Sequence, residues 1–271
     1  MTQPPTMRVG ASLGVGALAE TFLAQDADGV TRVLKRMHRH CAYDPVLVAM
    51  FEHEGLLLGR FEHPAIPVLR EQFRDASGVP HLTMDYVTGK PLDAVMAAGR
   101  VAPSAAVAWI AALLDALDHV HARADEAGRA LGVVHRDVAP GNVVTRDDGT
   151  VSLLDFGIAT SRWREDAERG VLKGTRGYMA PEVVTGERII DGRSDVFGAA
   201  VLLYELLTAR RLYAGGAMEV MLAIAEGPVP SARAVDSSVP AGIDVVLQRC
   251  LAKSPDERPT AREARALLLA G

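Results

Sequence analysis

The residues that decide the fold lie in the middle of the chain, which reads His135-Arg136-Asp137-Val138-Ala139-Pro140-Gly141-Asn142. Two further triplets follow in order, Asp155-Phe156-Gly157 and Ala180-Pro181-Glu182. Upstream lie a glycine-containing segment, Leu13-Gly14-Val15-Gly16, and a lysine in an apolar run, Val33-Leu34-Lys35. Each short motif alone is a weak signal, because tripeptides recur by chance. Their order and separation along one chain are the specific signal.

The pattern upstream of the central motifs is that of a β-sheet with one helix. Alternating apolar residues predict strands at 13–16, 21–24, 30–36, 68–74 and 81–86. Asp28-Gly29 and Ser77-Gly78 are turn signals between successive strands. Helical spacing predicts one helix over 45–61, which must stop before Pro64. This part of the chain therefore reads as a small β-rich lobe.

The pattern downstream is mainly helical. A long helix is predicted over 104–122, and short strand-like runs lie at 133–134, 142–145 and 151–154. Helices broken by Gly and Pro follow from Asp191 onward. We therefore predict an α+β fold of two lobes, with a loose leader at 1–8, an N-lobe at 9–86, a hinge at 85–89 and a C-lobe at 90–268.

Composition excludes several classes of protein. A chain of 271 residues with 49% hydrophobic content can bury a sizeable core. A net charge of −5 without a Lys/Arg run argues against a nucleic-acid partner. Two cysteines, Cys41 and Cys250, make neither a disulfide framework nor a zinc site. The apolar stretch at 196–207 is too short to span a bilayer and contains Glu205, so we predict a core helix, no membrane segment and a cytoplasmic protein.

The ordered motifs resemble those of the eukaryotic-like protein kinase family, in its bacterial Ser/Thr branch. The resemblance runs from about residue 9 to about residue 268. It implies the two-lobe protein kinase fold, with a small β-rich N-lobe holding one key helix and a larger, mainly α-helical C-lobe. It also implies transfer of the γ-phosphate of ATP to Ser or Thr hydroxyls of protein substrates, with Mg²⁺ or Mn²⁺ as the metal.

The catalytic residues implied by the resemblance are Asp137, Lys35, Glu54, Arg136, Asn142, Asp155 and Thr175. Asp137 would orient the acceptor hydroxyl, and Asn142 and Asp155 would hold the metal through hard oxygen ligands. A glutamate of the predicted helix would hold Lys35. Both Glu52 and Glu54 are candidates, and Glu54 is preferred because it lies nine residues before His63-Pro64, where the family places it.

The nucleotide-binding residues implied by the resemblance are Leu13, Gly14, Gly16, Ala19, Thr21, Val33, Lys35, Met84, Asp85, Val87 and Val144. Three of them depart from the family pattern. Ala19 replaces the third glycine of the phosphate loop, Thr21 replaces a valine, and Val33 replaces an alanine. The last two changes make the expected adenine pocket more polar and tighter.

Outside the nucleotide pocket, one departure concerns the chemistry and two matches concern the architecture. Ser/Thr kinases usually carry Lys two residues after the catalytic aspartate, where Ala139 stands here, and loss of that charge should cost rate. Tyrosine kinases also carry Ala there, but the segment from Gly174 to Met179 resembles the Ser/Thr form, in which Thr175 bonds near Asp137. By the same resemblance, Asp195 would brace the catalytic loop and Arg258 would pair with Glu182.

Two other functions remain open on the sequence. Ala19 and Ala139 slightly favour a pseudokinase, a nucleotide-binding or scaffold module without turnover, but the presence of Lys35, Glu54, Asp137, Asn142 and Asp155 argues more strongly against it. A small-molecule phosphotransferase of related fold is ranked last, because such enzymes lack the Ala180-Pro181-Glu182 segment.

The segment between Asp155 and Glu182 has no Ser or Thr at the position where the family usually carries its phosphorylation site. Glu165, Asp166 and Glu168 are expected to be permanent partners of Arg136 instead. The physiological substrate and the upstream signal cannot be read from the sequence.

Overall fold

The computed structural model describes residues 7–161, 174–186 and 190–271. The chain divides into two compact units, Met1–Thr88 and Gly89–Gly271. The first unit holds the sheet and the first helix, and the second holds the remaining helices. The predicted α+β class is confirmed.

The first unit is built on a five-stranded antiparallel sheet with the order β1-β2-β3-β5-β4. Its strands are β1 (Arg8–Val15), β2 (Ala19–Gln25), β3 (Thr31–Met37), β4 (Leu69–Arg74) and β5 (Pro80–Asp85). All five predicted strands are present. β1 begins at Arg8, inside the expected leader, and pairs with β2 through two register shifts. Such bulges break the alternating pattern, so the sequence predicted only the end of β1.

Helix α1 (Pro45–Leu58) begins after an N-cap residue, Asp44. The Asp44 carboxylate accepts hydrogen bonds from the amides of Val46 and Leu47, and Pro45 occupies the first helical turn. The helix ends three residues earlier than predicted, because the amides of Arg60 and Phe61 turn back to Leu57 and Leu58 in a tighter turn.

The core of the first unit lies between α1 and the sheet. Phe51, Leu57 and Leu82 are fully buried, and α1 packs on β4 and β5. Burial of large apolar side chains of this kind contributes roughly 1.5–3 kcal/mol per residue. This packing fixes the position of α1 relative to β3, and therefore of its carboxylates relative to the side chains of that strand.

The second unit combines a short three-stranded sheet with helices. The strands are β6 (Lys90–Pro91), β7 (Val143–Thr145) and β8 (Val151–Leu153), in the order β6-β7-β8. The helices are α2 (Leu92–Ala97), α3 (Pro103–His121), α4 (Pro181–Thr185), α5 (Arg193–Thr208), α6 (Ala217–Ala225), α7 (Ala232–Val235), α8 (Ala241–Cys250) and α9 (Ala261–Ala270). β6 and α2 were not predicted. The strand expected at 133–134 is reduced to an isolated bridge between Val134 and Thr160.

Helices α3 and α5 form the core of the second unit. Every residue of α5 after Arg193 is buried, which confirms the predicted core helix at 196–207. Helix α3 is, among the described residues, the one helix long and apolar enough to cross a membrane. It packs against α5, α9 and β8, and its Leu113 and Leu117 are fully buried. Its apolar surface is thus used inside the second unit.

Candidate active site

The Asp137 carboxylate is the centre of a hydrogen-bond network in the second unit. Its Oδ1 accepts bonds from the Thr175 amide at 2.8 Å and the Thr175 hydroxyl at 2.7 Å. Its Oδ2 accepts one from Asn142 Nδ2 at 2.8 Å. An ionised carboxylate oxygen accepts about two hydrogen bonds. In the described part of the chain, Oδ1 is therefore saturated, whereas Oδ2 has room for one more donor.

The loop that carries Asp137 is held from α5 by the buried Asp195. Asp195 accepts hydrogen bonds from the amides of His135 and Arg136, both at 2.8 Å, and from His121 Nε2 at 2.8 Å. Burial acts to raise the pKa of Asp195, but the His121 hydrogen bond and the neighbouring donors outweigh it and hold this pKa below its ordinary value. A charged Asp195 thus braces the loop, as the sequence predicts.

The loop backbone is strained next to Asp137. Arg136 has a φ of 69° and Asp155 a φ of 59°, in the left-handed region that residues other than glycine rarely adopt. Such a conformation costs of the order of 1 kcal/mol or more, and the surrounding bonds must sustain it. For Arg136, one of these bonds is the hydrogen bond that its amide donates to Asp195.

The ring of His135 links the loop to the segment that contains Asp155. His135 Nδ1 accepts a hydrogen bond from the Asp137 amide at 3.3 Å, so its Nε2 carries the proton and donates to the Leu154 carbonyl at 3.1 Å. The Phe156 ring packs edge-on to His135 with centroids 4.6 Å apart. The orientation of Asp155 is therefore coupled to the loop through its two sequence neighbours.

The two expected metal ligands are brought together by strand pairing. Val143 of β7 pairs with Leu153 of β8, and the Asn142 carbonyl accepts a hydrogen bond from the Leu154 amide at 2.8 Å. Asn142 and Asp155 thus lie at the same end of this two-stranded ribbon. The Asn142 amide nitrogen is bound to Asp137, which leaves its side-chain oxygen as a ligand.

This donor set fits a hard divalent cation. An amide oxygen and a carboxylate are ligands that Mg²⁺ accepts, with phosphate oxygens and water completing its shell. Among the residues that the structure describes, no group of three or more His, Cys, Asp or Glu side chains is arranged to hold a metal alone. A cation shared between two protein ligands and a bound phosphate chain is consistent with both observations.

Lys35 and Glu54 form an ion pair within the first unit. Lys35 Nζ lies 2.7 and 2.8 Å from the two Glu54 carboxylate oxygens. The side chains are 13% and 2% exposed, respectively. Glu52, the other candidate, instead forms an exposed pair with Arg74 of β4. The carboxylate that reaches Lys35 is thus the one that the spacing to His63-Pro64 favours.

The expected nucleotide residues of the first unit are grouped by strand register. Leu13 and Gly14 lie in β1, Gly16 in the following turn, and Ala19 in β2. Thr21 pairs with Lys35, and Val33 pairs with Met84. Asp85 ends β5 with its carboxylate bound by Arg70 and Arg32; the Arg70 hydrogen bond is the main cause that lowers its pKa. Val87 follows β5, and Val144 lies in β7 of the second unit.

A cleft of about 620 Å³ lies beside Thr175 in the second unit. Its lining includes Ala139, Asn142 and Arg176, together with Tyr178 and Glu205. The Tyr178 hydroxyl donates to Glu205 Oε2 at 2.7 Å, and Arg211 contacts both groups. Sequence reasoning missed this triad, although a glutamate inside the apolar run at 196–207 demands a buried partner and was the available signal.

Helix α5 approaches this region closely because residue 198 is glycine. A Cβ on Gly198 would lie 2.9 Å from the Val138 carbonyl oxygen and 3.3 Å from that of Tyr178. The first contact is shorter than real Cβ atoms show. Gly198 thus allows α5 to support both the loop that carries Asp137 and the segment after Thr175.

The last predicted contact, between Glu182 and Arg258, is fully buried. Arg258 forms a bidentate ion pair with the Glu182 carboxylate, in which Nη1 lies 2.9 Å from Oε1 and Nη2 contacts Oε2. The Ser194 hydroxyl donates to the same Oε1 at 2.5 Å. The remaining Arg258 donors reach the carbonyls of residues 193, 252 and 253. The expected acidic partners of Arg136, namely Glu165, Asp166 and Glu168, lie outside the described residues.

Comparison with known proteins finds similarity along almost the whole chain. Residues 7–267 match the family model described as protein kinase domain. The tyrosine-protein kinase MasK of Myxococcus xanthus is 36% identical over 263 residues, which cover 92% of this chain and 40% of that protein. The serine/threonine-protein kinase PknB of Mycolicibacterium smegmatis is 32% identical, over 96% of this chain and 42% of its own length.

A third relative is the probable serine/threonine-protein kinase SCO3848 of Streptomyces coelicolor. It is 32% identical over 92% of this chain and 37% of its own length. The chain thus spans about two fifths of the length of these curated relatives.

Proposed function

The chain belongs to the protein kinase family, and from that premise we propose that it transfers the γ-phosphate of ATP to Ser or Thr hydroxyls of proteins. The observation that carries the proposal is the Asp137 carboxylate, which is held by Thr175 and Asn142 with one acceptor position left on Oδ2. A substrate hydroxyl is a donor of the kind that this position accepts.

The roles of this chain's residues follow from where charge moves in the reaction. The acceptor hydroxyl would donate to Asp137 Oδ2, which orients the oxygen and takes its proton as the new P–O bond forms and the bond to ADP breaks. The cationic Lys35, fixed by Glu54, would bind the α- and β-phosphates. We propose Mg²⁺ (or Mn²⁺) as the cation held by Asn142 and Asp155, where it would neutralise phosphate charge.

The acceptor class rests on Thr175, since the similar proteins include kinases named for tyrosine as well as for serine and threonine. The amide and the hydroxyl of Thr175 both bind Asp137 Oδ1, so this residue lies directly beside the acceptor position. A short Ser or Thr side chain must bring its own backbone close to Asp137, whereas a tyrosine holds its hydroxyl farther away. We therefore propose Ser and Thr as acceptors.

Three further features of the chain belong to this proposal. Residues 85–89 would act as the hinge between the N-lobe and the C-lobe, which is supported by the division of the chain between Thr88 and Gly89. Because ATP is the phosphate donor, the domain would act in the cytoplasm. The similar proteins are more than twice as long as this chain, and the acceptor class proposed here is that of the domain.

The test is phosphate transfer from γ-labelled ATP with Mg²⁺, a generic basic protein and a set of aminoglycosides as competing acceptors. We expect label on Ser and Thr of the protein, sensitivity to EDTA, and transfer reduced by about 10³-fold in Asp137→Asn. Nucleotide binding without transfer would instead identify a pseudokinase, the possibility raised by Ala19 and Ala139. Label on an aminoglycoside or on tyrosine would contradict the proposed substrate class.

A further inference from the structure

The turn between β1 and β2 is bonded to the segment that follows β3. Three consecutive carbonyl oxygens of the turn accept from residues 38–41. The Gly16 carbonyl accepts from His38 Nε2 at 2.8 Å, the Ala17 carbonyl from the Cys41 thiol at 4.0 Å, and the Leu18 carbonyl from the His38 amide at 3.0 Å. The thiol contact is weak, so His38 makes the two strong bonds.

These bonds determine where the amides of the turn point. In a planar trans peptide, the N–H of a residue points opposite to the carbonyl of the residue before it. Carbonyls directed toward residues 38–41 therefore direct the amides of Ala17 and Leu18 away from that segment. In the described part of the chain, neither amide donates a hydrogen bond. The turn thus presents two adjacent open donors, an arrangement suited to an anion.

We infer that His38 is a positioning residue for phosphate binding, acting through the Gly16 carbonyl. The inference rests on the proposed function, since ATP is the anion concerned. The bond from His38 to Gly16 supplies a restraint in a turn that has Ala19 where the family has a third glycine. It orders the turn before the nucleotide arrives, and preordering reduces the entropy lost on binding.

The His40 side chain lies beside His38 but does not share its bond to the turn. The His40 ring stacks on the His38 ring with centroids 5.4 Å apart and an angle of 11° between the planes. His40 is exposed, and it takes no part in the bonds to the turn. Residue 40 is therefore a matched control in the same segment, because its removal leaves the bond from His38 to Gly16 available.

The experiment measures the dissociation constants of ATP with Mg²⁺ and of adenosine for wild type, His38→Ala, His38→Gln and His40→Ala. Loss of one hydrogen bond predicts about fivefold weaker ATP binding for His38→Ala. Adenosine has no phosphates and does not need the amides of the turn. Its affinity for His38→Ala should therefore stay within about twofold of its affinity for wild type. Gln carries an amide donor of similar reach, so His38→Gln should bind ATP like wild type. His40→Ala should behave likewise.

Several outcomes would overturn the inference. ATP affinity unchanged in His38→Ala, an equal loss for adenosine, or an equal loss in His40→Ala would each show that the bond does not position the turn. Wild-type protein that binds no ATP would overturn the proposed function as well, and so the two failures are distinguishable. If His38→Ala does not fold, His38→Leu retains side-chain volume without a donor and is compared with His38→Gln in the same titrations.

Discussion

Asp137 and Asp195 are two aspartates at the same loop but in different environments. Asp137 belongs to the loop, and Asp195 braces it from α5. Asp195 is almost fully buried, and all of its donors, two backbone amides and His121, belong to the protein. Asp137 is partly exposed and keeps one acceptor position on Oδ2. The same side chain thus serves as a closed brace in one place and as an open site in the other. Substitutions should therefore separate stability from activity.

The largest expected effect is on activity at the open site. Asp137→Asn retains the volume of the side chain but removes the base, and loss of a general base typically costs roughly 10²- to 10⁴-fold in rate. We expect a loss of about 10³-fold in transfer, with little change in the thermal unfolding temperature. Asp93→Asn, at an exposed carboxylate that lines the cleft beside Thr175, is the control and should keep the wild-type rate. Wild-type turnover by Asp137→Asn would contradict the assignment.

The next effect is on stability at the buried end of the second unit. Arg258→Ala leaves the buried Glu182 carboxylate without its main partner, and breaking such a pair costs about 3–5 kcal/mol of unfolding free energy. Denaturant unfolding measures this loss. Arg262→Ala removes an exposed pair with Asp118, with side chains 77% and 28% exposed, and should cost less than about 1 kcal/mol. Equal losses for the two variants would contradict the distinction between buried and exposed pairs.

The brace at Asp195 predicts a pH dependence of stability. Its pKa in the folded protein is lowered, so its contribution is fully present above the unfolded pKa and is lost as the pH falls through the folded value. Asp195→Asn should cost about 1–3 kcal/mol at neutral pH, because one backbone amide loses its acceptor. The difference in unfolding free energy from wild type should shrink as the pH falls below about 4, because the Asp195 carboxylate of the unfolded chain binds a proton there while that of the folded protein stays charged. A difference that stays constant down to pH 2 would rule out a charged brace.

The smallest expected effect is a gain at the open site. Ala139→Lys adds a cation beside the proposed position of the γ-phosphate, and we expect a rise in turnover of roughly two- to tenfold from the added electrostatic stabilisation. Ala139 is itself almost fully buried in the cleft lining, so the unfolding temperature must be measured alongside. An unchanged rate in a folded variant would mean that another cation, for which Arg176 is the candidate, already supplies this charge.

Three of the charged contacts were predicted through the family resemblance. Glu182 with Arg258, Asp195 with the loop at 135–137, and Glu54 with Lys35 all join groups that need an opposite charge or a set of donors when buried. The family motifs identified each partner by its position along the chain. Their roles in catalysis stay predictions.

The contacts that the sequence did not predict depend on packing between distant elements. His121 reaches Asp195 only because α3 and α5 pack closely, and Gly192 leaves space for its ring. The Tyr178–Glu205–Arg211 triad likewise depends on where the segment after Thr175 lies on α5. Neither arrangement has a local periodicity in the sequence. The bulges of β1 escaped prediction because they interrupt the pattern that identifies strands.

Gly198 has a consequence for engineering this protein. Glycine inside a helix is an obvious target for stabilisation, since replacement by alanine gains about 1 kcal/mol of helix propensity. Here the added methyl group would meet the backbone of residue 138, which has no flexible end to move aside. A screen that ranks variants by melting temperature alone would therefore not detect a variant in which the loop that carries Asp137 has been displaced. Position 198 should be excluded from such libraries, or each hit there should be ranked by turnover.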